Sequence, residues 1–139
     1  MRQVAERLRK LIIQRAGNCC EYCGLSQAGQ EATFHIDHII PVASGGATDP
    51  NNLALACVSC SLRKSARETA ADPLNGENVR LFHPRRDTWA DHFHWDGVYV
   101  AGLTAIGRAT VEALQMNRRL ILAIRIEEAR LGRHPTKSK

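Results

Sequence analysis

Residues 33–60 read TFHIDHIIPVASGGATDPNNLALACVSC. The stretch sets three ionisable side chains, His35, Asp37 and His38, among Phe34, Ile36, Ile39 and Ile40. An apolar strand can satisfy one polar side chain, but a cluster of them is costly unless it holds or attacks something. Alternation up to Pro41 predicts a strand over 33–40. Ser44-Gly45-Gly46-Ala47-Thr48-Asp49-Pro50-Asn51-Asn52 predicts a turn-rich loop of the kind that carries function. Leu53-Ala54-Leu55-Ala56 predicts a short second strand that runs into Cys57-Val58-Ser59-Cys60.

Upstream, Cys20-Glu21-Tyr22-Cys23 has the same spacing as Cys57 and Cys60, with residues 24–56 between the two pairs. Each pair can form a tight knuckle, and together they supply four thiolates, enough for a closed tetrahedral zinc site. Gly24 suits a knuckle that needs a permissive backbone. In a reducing compartment such pairs are more often metal ligands than disulfides. Four unrelated buried cysteines are the plain alternative, and neither pair lies in the βαβ pattern of a redox dithiol. The expectation is structural zinc on Cys20, Cys23, Cys57 and Cys60, with no open position for chemistry. Cys19 is the fifth cysteine; it could compete through the Cys19-x-x-x-Cys23 spacing or pack as a small apolar residue.

Between the knuckles, His38 could act as a general base, because imidazole titrates near neutrality. Asp37 is a hard oxygen ligand suited to Mg²⁺ or Mn²⁺. A base beside a metal ion is what phosphodiester hydrolysis needs. Strict alternation sends Asp37 and His38 to opposite faces, so the strand must twist or end there, consistent with Pro41. His35 shares a face with Asp37 and is either an auxiliary ligand, an orienting group or an ordinary strand histidine.

The run FHIDHIIPVASGGATDPNNLALACVSCSLRKS resembles the HNH endonuclease motif, in the zinc-clamped branch of the His-Me (ββα-metal) nucleases. The match covers residues 20–64 and rests on several coincident features: the Asp-His pair, Pro41, the Ser-Gly-Gly turn, Asn-Leu before a short strand, and CxxC followed by a basic helix. The resemblance implies His38 as general base, Asp37 as metal ligand and Asn52 as the residue that braces the loop and orients His38. It departs at Ser61, where the family usually has the His or Asn that completes the catalytic metal site. A hydroxyl is a weaker ligand, so Ser61 itself, water or His35 would fill that place. Arg63, Lys64 and Arg67 on the following segment are phosphate-contact candidates or a solvated face.

The remaining signals set the frame. With 139 residues there is room for one domain or a module with an appendage. A formal charge of +5 suits nucleic acid, with double-stranded DNA the expected partner. No apolar run is long enough for a membrane span, and the N-terminus lacks the apolar core of a secretory signal, so no membrane association and a cytoplasmic location are expected. Helical spacing predicts a helix over 2–16 that stops at Gly17-Asn18, and another from Ser61 to about Thr69. After Asp72-Pro73, His92 to Val100 reads as a hairpin turning at Asp96-Gly97. Two helical stretches follow from Thr104 to about Leu131, joined near Asn117. Trp89, Phe93 and Trp95, with neighbouring arginines, read as core or as a nucleic-acid clamp. Val111, Leu114, Leu120, Ile121, Ile124 and Ile126 read as core with a surplus that could serve a homodimer.

The expected fold class is α+β: a zinc-stabilised ββα-metal module over 1–70, with an N-terminal helix, and an α+β extension of hairpin and helices over 71–139. The expected function is metal-dependent endonuclease cleavage of nucleic acid, with structural Zn²⁺ and catalytic Mg²⁺ or Mn²⁺. The competing readings are a non-catalytic nucleic-acid-binding module degenerate at Ser61, and a protein-interaction domain that kept only the zinc fold.

Overall fold

The computed structural model describes residues 4–136. Glu6–Arg15 forms α1, which buries Ile12 and ends where Gly17 and Asn18 take positive φ of 63° and 58°. The start of the expected helix, residues 2 and 3, lies outside the described residues. Two arginines of α1 hold the elements after it. Arg9 donates to the Phe34 carbonyl at 3.1 Å, and Arg15 donates to the carbonyls of Pro50 and Leu53 at 2.9 and 2.7 Å.

His35–His38 forms β1 and pairs antiparallel with β2, Leu53–Ala56, so that His35 faces Ala56 and His38 faces Leu53. β1 is shorter than the expected 33–40 because Asn52 takes over the ladder. Ile39 N–H bonds the Asn52 carbonyl, and Ile40 N–H bonds the Asn52 side chain, both at 2.9 Å. Every residue of β2 is buried, which suits its run of Leu and Ala.

Val58–Lys64 forms α2, capped by the Cys57 sulfur, which accepts from Cys60 N–H. The helix expected over 61–69 therefore starts earlier and stops at Ser65, whose φ of 49° ends the run. The chain then enters β3, Thr69–Ala71, paired with β4, Asn78–Arg80, a hairpin that three-residue strands do not announce in the sequence. Trp89–His92 is a short α3 leading into β5, Phe93–Asp96, which pairs with β6, Tyr99–Gly102. Asp96 faces Tyr99, so the central turn residues are Gly97 and Val98, one position beyond the expected pair. Ala105–Ala113 (α4) and Arg119–Arg130 (α5) flank Asn117, whose side chain bonds both the N–H and the carbonyl of Val100.

The architecture is mixed α+β, with three separate two-stranded sheets among the described residues. One buried apolar cluster draws on Ile12, Tyr22, Phe34, Leu53 and Leu55, and also on Phe82, Phe93, Leu114 and Ile121. Trp89 and Trp95, both partly buried, pack against it, so these aromatics serve the interior. α5 departs from its apolar pattern: Leu120 and Ile126 are exposed, while Ile121, Arg125 and Glu128 make the buried face. No helix among the described residues is long and apolar enough to cross a membrane.

Candidate functional site

The sulfurs of Cys20, Cys23, Cys57 and Cys60 all lie within 4.8 Å of one another, and all four residues are buried. The Cys23 and Cys57 sulfurs are 3.7 Å apart. A tetrahedral ion with zinc–sulfur bonds of about 2.3 Å separates its ligands by roughly 3.8 Å, so the set fits zinc. The knuckles are preorganised: Cys23 N–H points at Cys20 Sγ and Cys60 N–H at Cys57 Sγ, both at 3.4 Å. Hydrogen bonding among the four sulfurs, then burial, pushes the Cys60 thiol well above its usual range. A cation at the centre reverses that preference, since it binds thiolates. Cys19 stands outside the cluster, with its sulfur 3.3 Å from the Gly17 carbonyl.

β1 turns His35 and Asp37 toward α2. His35 Nδ1 meets Ser61 Oγ at 2.9 Å. Asp37 is enclosed by two donors: the Tyr22 hydroxyl at 2.8 Å and the Lys64 ammonium at 3.3 Å. Lys64 also donates to the His38 carbonyl at 3.2 Å. Burial outweighs the Lys64 charge and holds the Asp37 carboxyl above its ordinary range. Tyr22, fully enclosed and beside Asp37, has its phenol pushed well upward and serves as a neutral donor.

Lys64, a phosphate-contact candidate in the sequence, is only 2% exposed and instead anchors α2 to β1. The buried carboxylate requires a counter-charge, and Lys64 is placed one helical turn after Ser61 to provide it. Removing one partner of a buried pair leaves the other charge uncompensated. Lys64→Met should therefore destabilise the metal-loaded protein by about 3–5 kcal/mol in urea unfolding. A loss below about 1 kcal/mol, the size of an exposed pair, would contradict this placement.

His38 lies on the other face of β1, partly exposed, with Nε2 2.8 Å from Thr48 Oγ1. The loop that carries Thr48 is pinned by Asn52. Its amide donates to the carbonyls of Ile40 at 3.0 Å and Ala47 at 2.9 Å, and its oxygen accepts from Ile40 N–H. Gly46 is required at this crossing, because a Cβ there would lie 1.8 Å from the Ile40 carbonyl oxygen. Gly45 supplies a left-handed turn with φ of 89°. Among the described residues no group of three His, Cys, Asp or Glu side chains converges except the cysteines. His35, Asp37 and His38 are thus split between two faces.

Residues 20–67 match the family model described as HNH endonuclease. That segment is an HNH domain. The comparison with curated proteins and that with solved structures returned no significant match. The HNH segment spans both cysteine knuckles, β1, the Asn52 loop, β2 and α2. Its exposed cations are Arg63, whose Nε donates to Ser59 Oγ at 3.2 Å, and Arg67, which lies beyond the helix end.

Three residues of the HNH domain make contacts that are hard to read from the sequence. Tyr22 looks like a spacer between cysteines but bonds Asp37 fifteen positions away. Thr48 looks like a turn residue but faces His38. Glu21 accepts from Leu55 N–H at 2.9 Å and pairs with Arg85, tying β2 to the chain beyond residue 70. Arg85 is thereby committed inside the fold, where burial and then Arg15 lower its pKa to about 10. The signal for Tyr22 and Glu21 is their enclosure between ligands; for Thr48 there is none in the sequence.

Proposed function

We propose that the HNH domain hydrolyses phosphodiester bonds in nucleic acid, most readily DNA, with His38 as the general base. The observation that carries this is the family match over a segment in which His38 sits partly exposed on a loop pinned by Asn52. In the tautomer with a proton on Nε2, His38 donates to Thr48 and leaves Nδ1 to take a proton from water. The hydroxide so formed attacks phosphorus as the bond to the opposite ester oxygen breaks, and that oxygen leaves as an alkoxide that takes a proton from water.

A divalent ion such as Mg²⁺ or Mn²⁺ would be held by Asp37, whose carboxylate suits hard cations, with the Ser61 hydroxyl and the His35 imidazole as the weaker donors beside it. When bound it would stabilise charge on the phosphate and the leaving oxygen. Lys64 already contributes positive charge at Asp37, so ion binding competes with it. Asn52 holds the loop, zinc on the four cysteines holds the two halves of the domain, and Arg63 and Arg67 contact phosphates. A double-stranded substrate and a cytoplasmic setting complete the reading.

The Asp37–Lys64 pair and Ser61 support a second reading, a nucleic-acid-binding module that has lost catalysis. Incubation with supercoiled plasmid, single-stranded DNA and RNA separates the two. Mg²⁺ or Mn²⁺ is added or omitted rather than chelated, which leaves zinc undisturbed. Ion-dependent nicking is expected, and Ser61→Asn should lower the ion concentration it needs. Salt-sensitive binding without nicking on any substrate would replace the first reading with the second.

A further inference from the structure

The least expected side chain in the buried interior is Arg125. It stands in the apolar run ILAIRIE of α5, yet it is 2% exposed. Its Nη1 donates to the Val98 carbonyl at 2.9 Å and to Asn117 Oδ1 at 3.2 Å, and its guanidinium lies 5.0 Å from the Trp95 ring centroid. Nε and Nη2 are buried with no hydrogen-bond partner. A buried cation with two idle N–H groups is expensive unless negative charge lies close by.

The charge available is that of the cysteine cluster. Arg125 and Cys23 line the same small cavity, together with Gly24, Glu128 and Arg133. Glu128 is already engaged, since Arg133 holds it through two bonds at 2.9 and 2.8 Å. Four thiolates around one zinc ion leave two net negative charges in a buried place, and the two knuckle N–H groups offset them only in part.

We infer that Arg125 is an outer-sphere partner of the zinc centre, directing its idle N–H groups at the Cys23 side of the thiolate cluster. The helix after the HNH segment thereby becomes part of the metal site. Trp95 backs the guanidinium, and it also packs on the knuckle, since a Cβ at Gly24 would lie 3.1 Å from its ring. This inference rests on the zinc reading above. It concerns metal retention and not the hydrolytic groups.

The test compares wild type with Arg125→Met, Arg125→Lys and Trp95→Leu. Zinc content is measured, then zinc transfer to a chromogenic chelator, then the sulfur-to-cobalt charge-transfer band of the Co²⁺-loaded forms. Outer-sphere partners of metal ligands typically contribute 10–100-fold in affinity, so Arg125→Met should weaken zinc retention by about that factor. Its cobalt band should move to lower energy, because thiolates without a nearby cation give up electrons more readily. Arg125→Lys keeps the charge and should keep the band position. Trp95→Leu removes the stacking but not the cation, so its band should also stay. Unchanged retention and band in Arg125→Met would overturn the inference, as would an equal shift in Arg125→Lys or Trp95→Leu. Should Arg125→Met not fold, a shifted band in Arg125→Lys overturns it and an unshifted band alongside metal-bound wild type supports it. Wild type without zinc would overturn the zinc reading itself, a result distinguishable from all of these.

Discussion

Cys57→Ser should abolish cooperative folding, and a zinc chelator should do the same to the unaltered protein. Structural zinc contributes roughly 10–16 kcal/mol in small zinc-folded peptides at neutral pH. The whole stability of a domain is usually about 5–15 kcal/mol, so the two quantities are of one size. Here the ligands join α1's exit, the start of α2 and the end of β2, and the cysteines themselves belong to the main buried cluster. Serine is a favoured residue for capping helices, so Cys57→Ser leaves the cap of α2 in place and removes only the sulfur ligand. The loss would therefore report on the metal and not on the helix. Cys19→Ser is the internal comparison, because Cys19 lies outside the cluster, and it should leave folding and metal content as they are. The measurement is zinc per chain together with thermal unfolding. One zinc per chain in wild type and Cys19→Ser, and a disordered Cys57→Ser, is the expected result. A Cys57→Ser protein that unfolds at the wild-type temperature would contradict it.

Much of the fold near the site is legible in the sequence because its devices are local. The duplicated CxxC spacing places four sulfurs together, and the structure has them so. The strand pair is read from alternation and from Pro41, and β2 lies at Leu53–Ala56, where its apolar run places it. The hairpin near Asp96 and the break near Asn117 likewise come from turn chemistry and periodicity. The features hidden from sequence reading depend on partners distant along the chain. Lys64 reads as a basic helix residue until Asp37, on another element, is seen to need a buried counter-charge. Arg125 reads as an interruption in an apolar face, and its enclosure, while Leu120 and Ile126 are exposed, depends on Val98, Asn117, Trp95 and the cavity it shares with Cys23. The β3–β4 hairpin is built from strands of three residues, too short for a period to register. The end of α2 depends on a positive φ at Ser65, a residue with no special tolerance for it.

His38→Ala should remove hydrolysis while leaving the fold and the zinc content unchanged. A general base contributes about 10²–10⁴-fold to rate, so the variant should fall by that factor or to the limit of detection. His38 is partly exposed and its ring bonds Thr48, so its loss does little to the core. Asn52 keeps the loop through backbone partners that alanine at 38 does not touch. The decisive measurement is nicking of supercoiled plasmid by wild type and His38→Ala, at matched zinc content, in saturating Mg²⁺ or Mn²⁺. Ion-dependent nicking by wild type that falls at least about 100-fold in His38→Ala is the predicted result. Equal nicking by both proteins would contradict it.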